Sequence, residues 1–431
     1  MAIAIVLAVS GGAAAQAAGP VAVASGCGPG DRGRVVSVAS VLRLSRTQVA
    51  EQLTNGGLPS GARYGIEAYR VVYCTISTSH EPTSASGLLV LPQGKRGTLP
   101  VVSYQHSTVA KKADAPSSLA TDESRLVSFF FASDGFAVSA ADYLGLGVSP
   151  GLHPYMHAAS EASASVDMLT AADRVTARHH AVLSRQVFLT GFSQGGQAAM
   201  ATGQAMRLDP RWTVAALAPI SGPYDLAAEF PVMFDADRVD PQRASGYISY
   251  VLTAWNRLYH LYDDPRDVFT APAAGQIDRL YDGTHEIDTI SAALPPATQL
   301  LQPAWRSQIE HPTGRLAAAI RANQVCHWAP PAPVRLYASH GDHDVVYANA
   351  DTCLRQIQNS GGHAQIVDLG DVDHLGSALM SMPAGPRMVL PAGCRDATLN
   401  AGALRAAFSK VLVVEAMPQH RRRSKHSRLN S

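Results

Sequence analysis

The sequence predicts an α/β architecture, a mainly parallel sheet with helices on both faces and an inserted helical block. Three observations carry that expectation. Apolar, β-branched runs alternate with segments of helical periodicity through most of the chain. The strand candidates read as near-continuous apolar runs, as expected of a sheet buried on both faces. One block, residues 222–332, breaks the alternation, with its apolar residues at helical spacing and many prolines.

The elements follow in order. Residues 1–19 open with an apolar run, Ala2 to Val9, then small residues and the A-x-A pattern Ala15-Gln16-Ala17. The run is too short to span a bilayer, and no Lys or Arg precedes it. It is expected to be a signal peptide, and the protein to be secreted or periplasmic. Residues 20–221 are expected to form the first part of the core. Tyr69–Thr78, Ala85–Pro92, Leu99–Gln105, Phe136–Asp142, the run before Gly191 and Thr213–Ser221 read as strands, the early pair as an antiparallel edge. "SRLVSFFFASDG", "EASASVDMLTAADRVTARHH" and "GGQAAMATGQAMRL" read as helices between them. Residues 222–332 are expected to form a helical cap or lid. Residues 333–417 supply strand, helix and strand again, and residues 418–431 a basic tail without apolar periodicity.

Composition narrows the function. The chain has 431 residues, 46% apolar and only 16% charged, with a net charge of +1. That balance gives no electrostatic footprint for nucleic acid and suits small, uncharged substrates. Five cysteines, Cys27, Cys74, Cys326, Cys353 and Cys394, suit an oxidising compartment. They allow at most two bridges within the chain, and their spacing is too irregular for a zinc site.

The chemistry centres on "QVFLTGFSQGGQAAMATG", Gln186 to Gly203. G-x-S-x-G between a strand and a helix forces its serine into a strained turn, and the glycines remove side chains that would collide there. Ser193 is the expected nucleophile, and the Gln194 N–H an expected oxyanion donor at the helix start. A serine needs a base and an orienting carboxylate, in this architecture in the order Ser, acid, His. The strand Pro333–His340 ends in "HGDHDVV" and the next ends in "VDHLG", so later loops offer both. His374 is the expected base, since His363 precedes its strand and His340 and His343 precede a helix. Asp342 and Asp344 are both available as the acid. Asp344, deeper along the loop, is the expected one, with Asp342 capping the turn or solvating the loop. A metal site of His340, His343 and His374 is the rival; no metal-ligand spacing supports it. The loop "YQHSTV" after an earlier strand offers a second oxyanion donor at Ser107 or His106.

"YQHSTV", "ADYLGLGVSPGLHPYMHA", "GFSQGG", "GDHDVV" and "DHLG" together resemble the secretory lipase family of α/β-hydrolases, its lipase A-like, bacterial esterase branch. The resemblance extends from about Arg34 to the His374 region. It implies an α/β-hydrolase fold with a large helical cap, and a carboxylic ester hydrolase acting through Ser193, Asp344 and His374. It implies no cofactor. Its partners would be small-molecule or lipid esters, with transient lipid-surface contact through the cap. Many relatives carry Gly where this chain has Ser107. Asp142, Tyr143, His153 and Tyr155 are expected to fix a loop more than to line the pocket. The same triad would serve a peptidase or acyltransferase, and a hydrolase scaffold can also bind without catalysis.

Overall fold

The computed structural model describes residues 26–58 and 61–381. The expected signal peptide, the last part of the second core segment, Cys394 and the basic tail lie outside them. Nine strands are present among the described residues: β1 (Val35–Leu44), β2 (Ile66–Ile76), β3 (Pro82–Pro92), β4 (Gly97–Gln105), β5 (Ala137–Ala141), β6 (Ala181–Phe192), β7 (Thr213–Ile220), β8 (Val334–Ala338) and β9 (Ala364–Asp368). They form one sheet in the order β1-β2-β3-β5-β4-β6-β7-β8-β9. β1, β2 and β3 are antiparallel to their neighbours, and every pairing from β5 to β9 is parallel. This is the fold the sequence predicts.

The parallel strands are apolar on both faces because helices cover both. On one face lie α3 (Ala158–Ala177), α4 (Gln194–Met206) and α13 (Ala348–Asn359). There Met168, Leu169, Val175 and Met200 pack with Val101, Leu189 and Leu217. On the other lie α1 (Arg46–Asn55), α2 (Asp122–Ser133) and α14 (His374–Ser381), with Val49, Leu53, Val127 and Phe129 against Val90, Val102 and Ile220. Each such side chain, fully buried, contributes about 1.5–3 kcal/mol. Thr121 caps α2 through the Ser124 N–H, with Asp122 and Glu123 in the first turn where the helix dipole favours acids.

Between β7 and β8 the chain is helical: α5 (Leu226–Val232), α6 (Pro241–Tyr259), α7 (Pro265–Val268), α8 (Ile277–Leu280), α9 (Ile287–Ala293), α10 (Ala297–Leu300), α11 (Pro303–Glu310) and α12 (Gly314–Asn323). These helices share a core of their own built on Trp255, Phe230, Phe269 and Leu300. α6 is its spine, started by Asp240 bonding the Gln242 and Arg243 N–H groups. The insertion sits on the sheet's loops through Tyr155: its ring stacks on Tyr250 at 4.2 Å, and its carbonyl accepts from Trp255 Nε1 at 3.1 Å. Disulfides Cys27–Cys74 and Cys326–Cys353 tie the N-terminal segment to β2 and the return from the insertion to α13.

Three elements, β1, α1 and α14, have no counterpart among the predicted ones. β1 is an edge strand whose register shifts twice against β2, at Val35/Ser37 and Ser40/Leu42. No residue of it is fully buried, so neither an apolar run nor clean alternation marks it. α1 carries a reciprocal capping box between Ser45 and Gln48, a signal that was legible in the sequence.

Candidate active site

β6 runs fully buried from Val187 to Phe192 and stops at Ser193, where α4 begins. Ser193 has φ 57° and ψ −121°, a conformation that costs a non-glycine residue of order 1–3 kcal/mol. Its N–H donates to the Ile220 carbonyl at 2.9 Å, and its own carbonyl accepts from the Gly196 N–H at 2.8 Å. The glycines permit this. A Cβ on Gly195 would lie 2.0 Å from the Gln105 carbonyl oxygen, and one on Gly191 would lie 2.3 Å from the Gly195 oxygen. Strand ends, turn and helix start are thus closer together than any larger residue allows. Gln194 is the first residue of α4, so its N–H has no acceptor within the helix.

His374 begins α14, after β9. Its ring lies 4.5 Å from that of Phe192, the residue before Ser193. Nδ1 is 2.8 Å from Asp342 Oδ2, while Nε2 is buried without a hydrogen-bond partner among the described residues. Nδ1–H therefore donates to the carboxylate, which leaves a lone pair on Nε2. Burial alone would lower the His374 pKa; the hydrogen bond and charge of Asp342, with the charge of Asp344, outweigh it and raise the imidazole above its ordinary value. Burial likewise works against the Asp342 carboxylate, and the bond to His374 with the Val345 and Asp344 N–H groups outweighs it and holds its pKa down.

The acid beside His374 is Asp342, which corrects the expectation of Asp344. Asp342 does cap its turn, since Oδ1 accepts from the Asp344 and Val345 N–H groups at 3.0 and 2.9 Å. Those same bonds aim Oδ2 at His374, so capping and orienting are one arrangement of one carboxylate. Asp344 turns to the helical insertion instead. Its Oδ2 accepts from Arg243 Nη1 at 3.1 Å and from the Tyr247 hydroxyl at 2.9 Å.

The loop after β4 also differs from expectation. The Ser107 N–H donates to Glu123 Oε1 at 2.9 Å, and its hydroxyl donates to the other oxygen of Glu123, so Ser107 has no free donor. The His106 ring faces two carbonyls, Ser107 O at 2.7 Å from Nδ1 and Asp142 O at 3.3 Å from Nε2. Thr108 is the residue of this loop that lines the cavity beside Ser193. Its N–H has no acceptor among the described residues.

That cavity is small, ≈ 40 Å³, room for about three waters. Leu226, Phe230, Met233, Ile248 and Val251 of the insertion form its apolar wall. Glu229, also lining it, is fully buried with one oxygen unpartnered. Burial and the nearby carboxylates, Asp342 first, push it well above the usual carboxyl range. Asp142 fixes a loop as expected, accepting from Ser117 N and Oγ and from Ser86 Oγ at 2.8, 2.5 and 2.6 Å. Tyr155 reaches the cavity, its hydroxyl 2.8 Å from Thr108 Oγ1. The three histidines of the metal alternative go to separate partners: His340 to Asp368 and the Tyr347 ring, His343 to the Arg238 carbonyl.

No family model and no curated protein sequence matches the chain, whereas solved structures do. A protein of Legionella pneumophila aligns at 27% identity over 89% of this chain and all of its own, with TM-score 0.74. The rice cell wall degrading esterase LipA of Xanthomonas oryzae, in a ligand-bound form, aligns at 28% identity over 83% of this chain and 97% of its own, TM-score 0.74. Candida antarctica lipase A shares the fold at 14% identity, over 88% and 91% of the chains, TM-score 0.62. With a mostly parallel nine-stranded sheet, a strained serine between strand and helix, and these neighbours, the chain has an α/β-hydrolase fold and is similar to bacterial esterases.

Proposed function

We propose that the protein is a serine esterase in which Ser193, His374 and Asp342 form the triad. The observation that carries this is the buried His374, oriented by Asp342 through Nδ1 and leaving Nε2 unpartnered against the strained serine turn. His374 Nε2 takes the hydroxyl proton as Ser193 Oγ attacks the ester carbonyl, and Asp342 stabilises the imidazolium. The Gln194 and Thr108 N–H groups receive the oxyanion, the Ser107 N–H being taken by Glu123 and His106 not lining the cavity. His374 then protonates the leaving alkoxide, and water activated by the same nitrogen releases the acid from the acyl-serine.

The size of the cavity favours short acyl groups. None of the strongly exposed large apolar side chains among the described residues, Leu152, Val182, Leu208, Leu375 and Met380, belongs to the insertion. The insertion thus offers no strongly exposed apolar anchor for a lipid surface, which favours dissolved esters. Two disulfides agree with secretion or a periplasmic home, which N-terminal sequencing of the protein from culture medium tests. Hydrolysis of p-nitrophenyl esters from acetate to palmitate, beside Ser193→Ala, tests the activity. Turnover on acetate and butyrate that vanishes in the variant is expected. Turnover peaking on palmitate refutes the short-chain reading, and turnover unchanged in Ser193→Ala refutes the mechanism.

A further inference from the structure

Behind the nucleophile turn lies a buried polar cluster that the triad does not use. The Gln194 side chain donates through Nε2 to Glu161 Oε1 at 2.6 Å and to His153 Nε2 at 2.9 Å. The amide orientation is fixed by chemistry. His153 Nδ1 is 2.8 Å from the Leu144 carbonyl and must donate there, so its Nε2 is an acceptor and the Gln194 atom facing it is the NH₂. Two atoms of the bonded pair remain unsatisfied, Gln194 Oε1 and Glu161 Oε2, both buried. Both are acceptors, on side chains already joined by one hydrogen bond, and a proton shared between them would give each a partner. A protonated carboxyl beside a primary amide makes two antiparallel bonds, N–H to one oxygen and O–H to the other. That proton satisfies both orphans at once, where each orphan left bare would carry its full desolvation cost.

We propose that Glu161, resting on the serine-esterase reading above, is a positioning residue of the oxyanion hole: carrying a proton, it forms an acid–amide pair with Gln194 and fixes the residue whose backbone N–H receives the oxyanion. When the proton is lost, neither Oε2 nor Gln194 Oε1 has that donor, and the pair opens. The surroundings favour the neutral acid. His153, His157, Tyr143 and Tyr155 face the cluster from the segments packed around α3, and among the described residues no lysine or arginine contributes to it. Burial pushes Glu161 up to about 8, with the Gln194 bond and the Met156 backbone working the other way. Burial pushes His153 down to about 3 and His157 to about 4, so both stay neutral. The cluster also reaches the second donor loop. The His153 ring is parallel to Tyr143 at 5.8 Å, and Tyr143 stacks at 4.2 Å on His106, two residues before Thr108.

The test compares Glu161→Gln, which reproduces the protonated acid's donor and acceptor, with Glu161→Met, which has neither. The rate on a short-chain ester is followed by pH-stat from pH 6 to 9.5. Wild-type kcat should fall on the alkaline side with a midpoint at about 8. Glu161→Gln should keep the neutral rate and lose that alkaline fall. Glu161→Met should lose about tenfold to a hundredfold in kcat at pH 7 with KM little changed, the scale of a misplaced catalytic group. In parallel, the infrared difference spectrum of wild type minus Glu161→Gln at pH 7 should show the carbonyl band of one buried protonated carboxylic acid, separate from that of Glu229, which is common to both proteins, and this difference band should be lost as pH rises through the same midpoint. An alkaline fall identical in wild type and Glu161→Gln, full activity in Glu161→Met, or no such band overturns the proposal. The infrared measurement decides the matter even where Glu161→Met does not fold. If no ester is turned over by the wild type, the esterase reading fails, and the band still tells whether the acid–amide pair exists.

Discussion

Gly195→Ala tests how closely the site is built. The added Cβ would lie 2.0 Å from the Gln105 carbonyl oxygen, 2.5 Å from its carbon and 2.7 Å from the His106 oxygen. All three neighbours are backbone, so no side chain can swing away. Gln105 is held in the sheet opposite Gly191, and real Cβ contacts below 3.0 Å are essentially unknown. The end of β4 must therefore retreat by about 1 Å or more, and overpacking of this kind costs about 1–3 kcal/mol. The segment that moves also carries Thr108, so the oxyanion site moves with it, and a 1 Å misplacement costs about 10²-fold in rate. The assay is kcat/KM on p-nitrophenyl butyrate together with the urea midpoint of unfolding. Gly275→Ala is the control, since its Cβ would meet nothing closer than 3.8 Å, and its expected change is within about 0.5 kcal/mol. Wild-type kcat/KM and stability in Gly195→Ala would refute the reasoning.

Other predictions follow from the same geometry. Because the base must be neutral and the His374 pKa is raised, the acid limb of kcat/KM should have its midpoint above the ordinary histidine value of 6.5; a midpoint below it contradicts the Asp342 assignment. In stability the sign runs the same way: the raised His374 contributes below 6.5 and loses that contribution as pH rises through its folded pKa, whereas the lowered Asp342 contributes above 3.8 and loses it as pH falls. These slopes are read from urea midpoints across pH in wild type and Asp342→Asn. Replacing Cys326 and Cys353 by Ala opens a loop whose ends are 27 residues apart, which the chain-entropy estimate makes a loss of about 3.6 kcal/mol; calorimetry of the double variant checks it.

The fold was legible because each core strand from β2 onward is an apolar or β-branched run, with turn residues between the first three and helical periodicity between neighbours in sequence from β4 onward. β1 escaped because an edge strand with two register shifts and no fully buried residue has neither signature. The turn at Ser193 and the position of His374 after β9 could be read from motif and element order. The choice between Asp342 and Asp344 could not, because two acids two residues apart lie on one loop and only its folding decides which oxygen meets His374. Reading Asp342 as a turn cap was right for Oδ1, but a carboxylate has a second oxygen, and that is the one bonded to the imidazole. Ser107 was misread for a different reason. Its N–H is taken by Glu123 from α2, a partner 16 residues away that no motif announces. The side-chain pairing of Glu161 with Gln194 was likewise beyond the sequence, since a buried acid on a helix of small residues looks like an exposed charge until the packing is known.

The measurement that bears most directly on the account is the paired kcat of Asp342→Asn and Asp344→Asn on a short-chain ester at neutral pH. Removing the orienting carboxylate of a triad costs about 10⁴-fold. The account predicts a loss of that order in Asp342→Asn. Asp344→Asn, whose side-chain hydrogen bonds among the described residues go to Arg243 and Tyr247, should lose no more than several-fold. Losses in the reverse order would return the acid to Asp344 and contradict the site described here.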